Sequence, residues 1–508
     1  MTHAPYNPNS GDKSPGFFDG LRLTTPRMEE SDLLAVRRQK LEQLFQNKQA
    51  PFGERFDVDG SIAEVRSGFA EGKSVRVGGR ITAHRNMGKS QFLDLSDITG
   101  RIQIFISLKE LSPEEAALFE LIDLGDFLGV QGECFVTRAG EPTVRVRAFR
   151  LLSKALRPLP AKWHGISDIE TRYRQRYLDL IANPESRKVF LQRIQIVQEI
   201  RRFLVERGFL EVETPMMQSV AGGAAAQPFQ THHNALSLDL FLRVAPELYL
   251  KRLLVSGFPK IFELNRNFRN EGISRRHNPE FTMLETYWAY ADFELMANLV
   301  EELICHLAQT VLGTLKIEHK NADGSIRRVI NLERPWRRAR YDELISSIEP
   351  GWFERSKPEK LARCREIGVE VHPQMAEFEV TQQIFEKLVE EKTFDPLFVT
   401  HLPADLVPLA RQDPDSPGTV EVFELIINGQ EHSPGYSELN DPIVQRQRLV
   451  KQAGEEIQKI DEDFLLALEY GMPPAGGMGL GIDRLVMTLT GAESIRDVIL
   501  FPHLKPKI

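Results

Sequence analysis

Hydrophobic and polar residues alternate along residues 74–107 in a pattern that predicts three short β-strands. The strand-like segments read SVRVGGRITAHR, QFLDLSD and RIQIFIS, and such alternation is typical of half-buried strands. A helix is predicted next, because Ser112 and Glu115 fit the capping box that opens many helices. The segments FLGVQGECFVTR and TVRVRAFRLL then predict two more strands. Three strands, a helix and two strands is the order of an OB-fold, a small barrel that often binds single-stranded nucleic acid.

A second region begins near residue 171, after a Pro-rich linker. Apolar spacing predicts a helix over residues 185–206 that ends at Gly208, with one buried face formed by Phe190, Ile194, Val197 and Phe203. The segment FLEVETPMM then predicts a strand. Residues 315–415 are predicted to be mainly helical, with Pro-rich breaks.

The stretch RNFRNEGISRRHNPEF, residues 266–281, places a cluster of arginines between two strand-like segments. Period-two alternation predicts that alternate residues of each segment project from one face of the sheet. In the first segment these are Glu263, Asn265, Asn267, Arg269 and Glu271. In the second they are Phe281, Met283, Glu285 and Tyr287. Such a face is costly to bury unless it holds a ligand.

A polyphosphate nucleotide is the ligand that this stretch predicts. Arg269 suits a bidentate phosphate contact, Arg276 and His277 suit further phosphates, and Phe281 suits stacking on a base. The alternative, that these arginines form structural ion pairs, is disfavoured by their clustering.

The segment EVFELIINGQEHSPGYSELND contains Asn428-Gly429 between two strand-like runs, a strong hairpin signal. Counting outward from that turn places Ile426 opposite Glu431, so Glu424 and Glu431 become diagonal neighbours on one face. Two such carboxylates suit Mg²⁺, which prefers oxygen ligands and bridges phosphates. For the hairpin alone, two solvated glutamates are the alternative.

Near the C-terminus, PPAGGMGLGIDRLVMTLTG is a Gly-rich segment that enters an apolar helix. It matches neither the G-x-G-x-x-G dinucleotide pattern nor the P-loop pattern. The glycines suit close approach of a nucleotide, with Arg484 facing its phosphates or stacking on its base.

Composition limits the function classes. The 508 residues carry a net charge of −8, which argues against non-specific nucleic-acid binding and requires any such site to be local. The three cysteines are far apart, which excludes a disulfide framework and favours a reducing cytoplasm. No signal peptide and no 18-residue apolar run is found. We expect a flexible tail over 1–32, an OB-fold domain with a leading helix over 33–160, and a second domain over 171–508.

In the predicted barrel, Phe92 is positioned to stack on a base and Gln103 to read a base edge. Several arginines lie on the same segments. From spacing alone, a core role for Phe92 and a solvated basic face are equally compatible with the sequence.

The barrel segments and the motifs of the second region, in the order in which they occur, resemble those of class II lysyl-tRNA synthetases along nearly the whole chain beyond the tail. The predicted helix over residues 185–206 and the strand after it, which ends in FLEVETPMM, are together similar to motif 1. RNFRNEGISRRHNPEFTMLE is similar to motif 2 and GMGLGIDRLVM to motif 3, and APELYLKRL and SELND also match. The resemblance implies an α+β fold, with an N-terminal OB-fold barrel followed by a catalytic domain of antiparallel sheet flanked by helices. It also implies a homodimer formed through motif 1.

The resemblance implies roles for individual residues. Arg269 and Arg484 match catalytic positions, and the ATP-contacting positions are Arg269, Glu271, His277, Asn278, Phe281 and Arg484. Glu424 and Glu431 match Mg²⁺ ligands, and Phe92 and Gln103 match anticodon-reading residues. The lysine-binding positions are Glu247, Arg269, Glu285, Tyr287, Tyr436 and Glu438, with Glu247 near the α-amino group and Glu285, Tyr287 and Glu438 around the ε-ammonium.

Physical chemistry agrees with a cationic substrate, because a buried ammonium is costly unless carboxylates pair with it. One position departs from the family pattern. Pro434 stands where the family usually has an asparagine beside the substrate carboxylate, and proline offers neither a side-chain amide nor a backbone donor. Loss of one hydrogen bond to a charged group costs about 1.5 to 3 kcal/mol, which Arg269 partly offsets.

The implied activity is ATP-dependent activation of L-lysine to lysyl-adenylate and its transfer to the 3′ end of tRNA(Lys). An aspartyl- or asparaginyl-type synthetase is disfavoured, because Glu285 and Glu438 would repel an anionic substrate. Two alternatives stay open, a paralogue that activates a lysine analogue or lysylates a protein, and a non-catalytic RNA-binding protein on a synthetase scaffold. The retained barrel disfavours protein lysylation, and the intact arginines and glutamates of the site disfavour loss of catalysis.

Overall fold

The computed structural model describes residues 32–159, 166, 168–224, 226–453 and 460–506. The chain forms two compact units, one up to residue 160 and one from residue 161 onward. The predicted tail lies outside the described residues, except that Asp32 begins the first helix.

The first unit is a closed five-stranded barrel, which confirms the predicted OB-fold and its strand order. Its strands follow the order β1-β2-β3-β5-β4 around the barrel, and β3 and β5 are parallel. The elements are α1 (Asp32–Gln46), α2 (Ile62–Ser67), β1 (Ser74–Met87), β2 (Ser90–Ser96), β3 (Arg101–Ser107), α3 (Pro113–Glu120), β4 (Phe127–Val136) and β5 (Pro142–Ser153).

Local chemistry explains where the barrel helix begins. The backbone N–H of Ser112 donates to Glu115 Oε2 at 2.9 Å, and the backbone N–H of Glu115 donates to Ser112 Oγ at 3.2 Å. This is the capping box that the sequence predicts, and it satisfies two otherwise unpaired donors.

The second unit begins with three helices and several short strands before its main sheet. In chain order the first elements are α4 (Ile169–Arg174), α5 (Arg176–Ala182), α6 (Pro184–Glu206), β6 (Leu210–Glu211), β7 (Met217–Gln218), β8 (Gln230–His233), β9 (Leu238–Leu242), α7 (Glu247–Val255), β10 (Lys260–Phe268), β11 (Glu280–Ala289) and α8 (Phe293–Leu307). A short π-helix, Ala308–Leu312, extends α8.

The remaining elements complete the sheet and cover it. They are β12 (Lys316–Lys320), β13 (Ile326–Asn331), β14 (Arg337–Arg340), α9 (Tyr341–Ile348), α10 (Lys357–Glu366), α11 (Glu377–Leu388), β15 (Leu397–Thr400), β16 (Val422–Ile427), β17 (Gln430–Ser437), α12 (Pro442–Ala453), α13 (Glu462–Glu469), β18 (Ala475–Gly481), α14 (Ile482–Thr490) and α15 (Ile495–Val498). A single 3₁₀ turn, Glu390–Lys392, follows α11.

An eight-stranded sheet organises this unit, in the order β14-β15-β16-β17-β18-β11-β10-β6. Most neighbours are antiparallel, and the two outermost pairs are parallel. The helices α6, α8 and α14 pack apolar residues such as Phe203, Val300 and Leu485 into one continuous core with the sheet. The observed architecture confirms the predicted α+β class.

Three expectations need correction. Ile194 is 49% exposed, and the buried face of α6 instead includes Ile196 and Ile200, because the helix turns an adjacent stripe toward the core. In FLEVETPMM, the strand of the main sheet is limited to Leu210–Glu211 at the outer edge, and Val212 adds one backbone hydrogen bond to Phe262 O at 2.9 Å. Residues 315–415 contain four strands besides their helices.

Both ends of the second unit are joined by a buried guanidinium. Arg176 pairs with Asp179 at 2.6 Å and donates to the backbone carbonyls of Arg496 at 2.7 Å and Leu500 at 3.0 Å. The C-terminal segment is therefore fixed against the helices that begin the unit.

Candidate active site

The loop over residues 269–279, between β10 and β11, forms one wall of a cavity of about 200 Å³. Its base is closed by the backbone N–H of Arg269, which donates to Pro279 O at 2.8 Å. The opposite wall comes from β17 and the start of α14. The cavity lining brings together the predicted residues Arg269, Glu271, His277, Asn278, Phe281, Glu431 and Arg484.

The strand register confirms the predicted shared face of β10 and β11. Glu263 lies opposite Glu285, Asn265 opposite Met283 and Asn267 opposite Phe281. Because side chains of directly opposed residues project to the same side of a sheet, the strand residues of the two predicted sets form one polar and aromatic surface. Arg269 and Glu271 lie beyond the end of β10, in the loop.

The guanidinium group of Arg269 is half-buried, and its Nε is an unused hydrogen-bond donor. Its Nε makes no hydrogen bond to any part of the chain that the structure describes, and its guanidinium carbon lies 5.1 Å from the centre of the Phe281 ring. Burial lowers the pKa of Arg269, while Glu271, Glu431 and Glu285 oppose that shift. A guanidinium in this state suits an anion in the cavity.

Arg484, in the first turn of α14, lies across the cavity from that loop. Its Nη1 donates to the backbone carbonyl of Glu431 at 2.7 Å, and its Nη2 lies 3.3 Å from His277 Nε2. Burial and the charge of Arg484 lower the pKa of His277, so a neutral ring accepts from Arg484. His277 Nδ1 lies 2.9 Å from Ser274 Oγ, which fixes the ring.

Asn278 also lines the cavity, but its amide already has protein partners. Its Nδ2 donates to the backbone carbonyl of Glu280 at 2.6 Å, and its Oδ1 accepts from the backbone N–H of His503 at 3.3 Å. Asn278 therefore holds the loop against the C-terminal segment.

The hairpin of β16 and β17 turns at Asn428 and Gly429, whose φ angles of 56° and 73° fit the predicted two-residue turn. Ile426 lies opposite Glu431, as predicted. Glu424 lies opposite Pro434, because β17 carries an extra residue at an irregularity of the pairing. The bulge shifts the register beyond Ile426, a feature that residue counting could not foresee.

Glu424 belongs to a carboxylate cluster that includes two residues missed by sequence analysis, Glu386 and Glu390. Burial raises the pKa of Glu424, and the charges of Glu431, Glu390 and Glu386 raise it further. Burial and Glu431 raise the pKa of Glu390 to about 7. The backbone N–H of Glu431 donates to Glu390 Oε1 at 3.1 Å, so the residues after α11 support this hairpin.

A hard divalent cation would relieve the repulsion among these carboxylates. Within the described ranges, no group of three or more His, Cys, Asp and Glu side chains forms a ready metal site. A pair such as Glu424 and Glu431 still suits Mg²⁺, which usually takes one or two carboxylates and completes its shell with phosphate oxygens and water.

Beyond Arg269, the shared face of β10 and β11 continues into a buried acidic region. Tyr287 donates from its hydroxyl to Glu285 Oε2 at 3.1 Å. Glu263, opposite Glu285, pairs with Arg243 at 2.6 Å, whereas Glu285 makes no ion pair with any residue that the structure describes. Burial and Glu247 raise the pKa of Glu285 to about 8. Glu285 is therefore a buried carboxyl group without a cation.

A lysine of the chain itself lies in the same region. Lys251 is fully buried on α7, with its Nζ 2.8 Å from Glu247 Oε1 and 2.5 Å from Glu438 Oε2. Tyr436 donates from its hydroxyl to Glu247 Oε1 at 2.7 Å. Sequence analysis missed Lys251, although its position four residues after Glu247 was an available signal for an ion pair.

The glycines of β18 make room for these side chains. A Cβ at Gly477 would lie 1.9 Å from Glu438 Oε1 and 2.7 Å from the Tyr287 ring. A Cβ at Gly479 would lie 2.6 Å from the terminal carbon of Met283. These two glycines therefore accommodate the chain's own side chains, whereas Gly481 lines the cavity.

In the barrel, Phe92 is half-buried, with its ring centre 5.1 Å from that of Phe105. Gln103 is buried, and its Oε1 accepts from Thr143 Oγ1 at 2.9 Å. Two arginines of the predicted strands already have acidic partners: Arg85 and Arg101 share Asp94, each at 2.9 Å, and Arg101 also lies 3.4 Å from Glu141. The basic face is therefore weaker than its composition indicates.

Within the described residues, one helical stretch, Phe293–Leu312, is long and apolar enough to cross a membrane. Half of its most apolar window is buried, and its residues belong to the core against the sheet. A core helix of a soluble protein passes the same test.

Comparisons with known proteins identify the family of each unit. The family model described as class II tRNA synthetases (D, K and N) matches residues 168–505, and that of the OB-fold nucleic acid binding domain matches residues 75–152. The curated relatives include a lysine--tRNA ligase of Carboxydothermus hydrogenoformans, 49% identical over 94% of this chain and 99% of the relative. A lysine--tRNA ligase of Pelotomaculum thermopropionicum is 50% identical over 94% of this chain and 96% of the relative.

The chain belongs to the class II tRNA synthetases, and within them to the family of the lysine--tRNA ligases. It is accordingly an enzyme, a ligase that forms aminoacyl-tRNA.

Proposed function

We propose that this chain activates L-lysine with ATP and transfers it to tRNA(Lys). The observation that carries the amino-acid choice is the buried group of Glu247, Glu285 and Glu438, at the end of the site beyond Arg269. When ionised, these three carboxylates carry three negative charges, and Lys251 of the chain compensates one of them. The two negative charges that remain match the two ammonium groups of the substrate lysine. A neutral side chain of similar length would leave a buried carboxylate unpaired and would be rejected.

The cavity is the proposed ATP site. Arg269 holds the α-phosphate together with the lysine carboxylate, and Phe281 and Arg484 enclose the adenine ring. Glu271, His277 and Asn278 contact ATP from the loop. The unused Nε of Arg269 and the neutral His277 beside Arg484 support these assignments.

The acidic region is the proposed lysine site. Glu285 and Tyr287 contact the ε-ammonium together with Glu438, while Glu247 and Tyr436 lie near the α-amino group. The raised pKa of Glu285, near 8, supports this role, because a substrate cation would supply the missing partner for its charged form.

Glu424 and Glu431 are the proposed Mg²⁺ ligands, supported by the unrelieved carboxylate repulsion around Glu424. When bound, Mg²⁺ neutralises phosphate charge and orients the polyphosphate. Glu431→Gln should raise the Mg²⁺ concentration at which ATP binding is half-maximal, a readout that needs no turnover.

In the proposed first step, the lysine carboxylate attacks the α-phosphorus of ATP, the bond to the β-phosphate oxygen breaks, and pyrophosphate leaves. In the second step, the terminal ribose hydroxyl of the tRNA attacks the carbonyl carbon, and AMP leaves. Arg269 stabilises the charge that develops on the α-phosphate, and Arg484 holds the nucleotide in line. Positioning and charge stabilisation supply the rate, so no general base from the chain is assigned.

The barrel is the proposed anticodon-binding domain, with Phe92 stacking on a base and Gln103 reading a base edge.

A homodimer through motif 1 is proposed because α6 exposes a strip of apolar residues, Leu191, Ile194 and Val205. We place the enzyme in the cytoplasm, where its free cysteines would stay reduced.

Amino-acid-dependent exchange of pyrophosphate into ATP tests the proposal. Lysine should support exchange, while ornithine, arginine and aspartate should support far less. Exchange with aspartate but not lysine would overturn the substrate assignment, and exchange with a lysine analogue alone would favour the paralogue. Absence of exchange with every amino acid would favour a non-catalytic RNA-binding role.

A further inference from the structure

Lys251 is the one buried cation that contacts two of the proposed lysine-site carboxylates within the described part of the chain. It lies on α7, and its partners lie on two different elements, Glu247 on the same helix and Glu438 just beyond β17. Its ammonium is fully buried, so its charge persists only because both carboxylates compensate for lost hydration.

The contacts use one oxygen of each carboxylate. Lys251 and Tyr436 both bond Oε1 of Glu247. At Glu438, Lys251 contacts Oε2, while Oε1 lies over Gly477 beside the Tyr287 ring and makes no hydrogen bond to any residue that the structure describes. That free oxygen thus projects toward the region where Tyr287 bonds Glu285.

We propose that Lys251 is a positioning residue for substrate selection: by holding one oxygen of Glu247 and one of Glu438, it fixes the distance between the two acceptors that receive the α- and ε-ammonium groups. This inference rests on the proposed lysine site. When the distance between the two acceptors is fixed, only a substrate whose two ammonium groups are the right distance apart can contact both. Lys251 therefore favours lysine over its shorter homologue ornithine.

Lys251 also sets the charge of the pocket. Glu247, Glu285 and Glu438 contribute three negative charges when ionised, and Lys251 removes one. The remaining two match the two ammonium groups of lysine. Without Lys251, one carboxylate would take up a proton or stay unpaired, because burial of unbalanced charge is costly.

Other charged groups near α7 do not perform this role. On β11, Glu285 and Tyr287 face the cluster, and on β17 Tyr436 does so, none of them cationic. The next residue, Arg252, points away and pairs with Asp461 at 2.7 Å and Asp463 at 3.1 Å beside α13. Arg243 is engaged by Glu263.

The test compares Lys251→Met with Lys154→Met. Lys154 is a matched control, because it is also fully buried between two carboxylates, Asp123 at 2.6 Å and Asp126 at 2.9 Å, but lies in the barrel. Pyrophosphate exchange, which requires no tRNA, is measured for lysine and ornithine between pH 6.5 and 9, together with the melting temperature.

Lys251→Met should raise the KM for lysine by about tenfold or more, with a smaller change in kcat, and lower the preference for lysine over ornithine by a similar factor. In this variant the KM should keep falling to a higher pH than in the parent. The reason is that Lys251 lowers the pKa of Glu438, so without this cation Glu438 ionises only at higher pH. Lys154→Met should lower the melting temperature without changing these three quantities. If Lys251→Met fails to fold, Lys251→Gln, which keeps a neutral donor, decides the question by the same measurements.

The inference is overturned if the Lys251 variants keep the parent KM, preference and pH dependence and lose only stability, as Lys154→Met does. Failure of the proposed function looks different. In that case the parent enzyme itself would show no lysine-dependent exchange.

Discussion

Glu263 and Glu285 lie directly opposite each other on β10 and β11, yet only Glu263 has a guanidinium partner, Arg243 at 2.6 Å. Two buried carboxyl groups in one register position therefore differ in whether a cation pairs with them. Burial raises the pKa of Glu285 to about 8. A cationic substrate is the partner that would bring Glu285 into its charged form.

The first prediction concerns pH. Because Glu285 is protonated below pH 8 in the free enzyme and ionised with lysine bound, lysine binding should release a proton. The KM for lysine should fall by up to about tenfold per pH unit between pH 6.5 and 8 and level off above it. Calorimetry in buffers of different ionisation enthalpy measures the proton release directly. Glu285→Gln should abolish the pH dependence, and an unchanged profile in this variant would contradict the assignment.

The second prediction concerns Arg269. Arg269→Lys should lower kcat for pyrophosphate exchange by about 100-fold, because an ammonium cannot make the bidentate contact that a guanidinium makes. Arg266→Lys is the matched control. Arg266 lies in the same motif but is exposed and contacts Glu280 at 3.6 Å, so its replacement should change the rate only slightly. Equal effects at the two positions would argue against a special role for Arg269.

The third prediction concerns Pro434, which lines the cavity with Arg269. Pro434→Asn should lower the KM for lysine by about tenfold, since a side-chain amide would donate to the substrate carboxylate. Pro434→Ala, which removes the ring but adds no amide, should bring no such gain. If the asparagine variant improves a lysine analogue instead, the paralogue becomes the better interpretation.

The fourth prediction concerns Gly477. Gly477→Ala should raise the KM for lysine and lower stability, because its Cβ would lie 1.9 Å from Glu438 Oε1 and force that carboxylate to move. Gly100→Ala in the barrel serves as the control, since the nearest atom to its Cβ would be 3.9 Å away. Exchange kinetics and thermal unfolding check both variants, and a fully active Gly477→Ala enzyme would refute the crowding described here.

The fifth prediction separates the barrel from the chemistry. Phe92→Ala should reduce tRNA aminoacylation by about tenfold or more through lost base stacking, while pyrophosphate exchange stays unchanged. Phe127→Ala is the control, because the Phe127 ring is covered by Arg80 at 4.3 Å. Loss of exchange in Phe92→Ala would point to a folding defect instead.

The strand register around Glu285 was predictable because alternation along a strand has a fixed period. Glu263, Asn265 and Asn267 therefore lie opposite residues of the second predicted set, Glu285, Met283 and Phe281. Lys251 was not predictable to the same degree. Its ion pair with Glu247 follows from helix spacing, but its contact with Glu438 depends on packing between segments that are far apart in sequence.

Two other outcomes have similar physical reasons. The bulge that places Glu424 opposite Pro434 has no sequence signal that residue counting detects. Glu386 and Glu390 approach the hairpin because α11 and the turn after it pack beside it, so their place in the carboxylate cluster depends on tertiary packing. Local patterns predicted elements and faces, whereas long-range packing determined the partners of buried charges.

The position of β18 in the sheet has a consequence for biosynthesis. This strand, Ala475–Gly481, is the last of the eight strands of the sheet to be synthesised, yet it fills the place between β17 and β11. Until it emerges, a nascent chain exposes two strand edges in the middle of its sheet, which are sites for mispairing with other chains. Premature termination upstream of Ala475 should therefore give aggregation-prone products that depend on chaperones for removal.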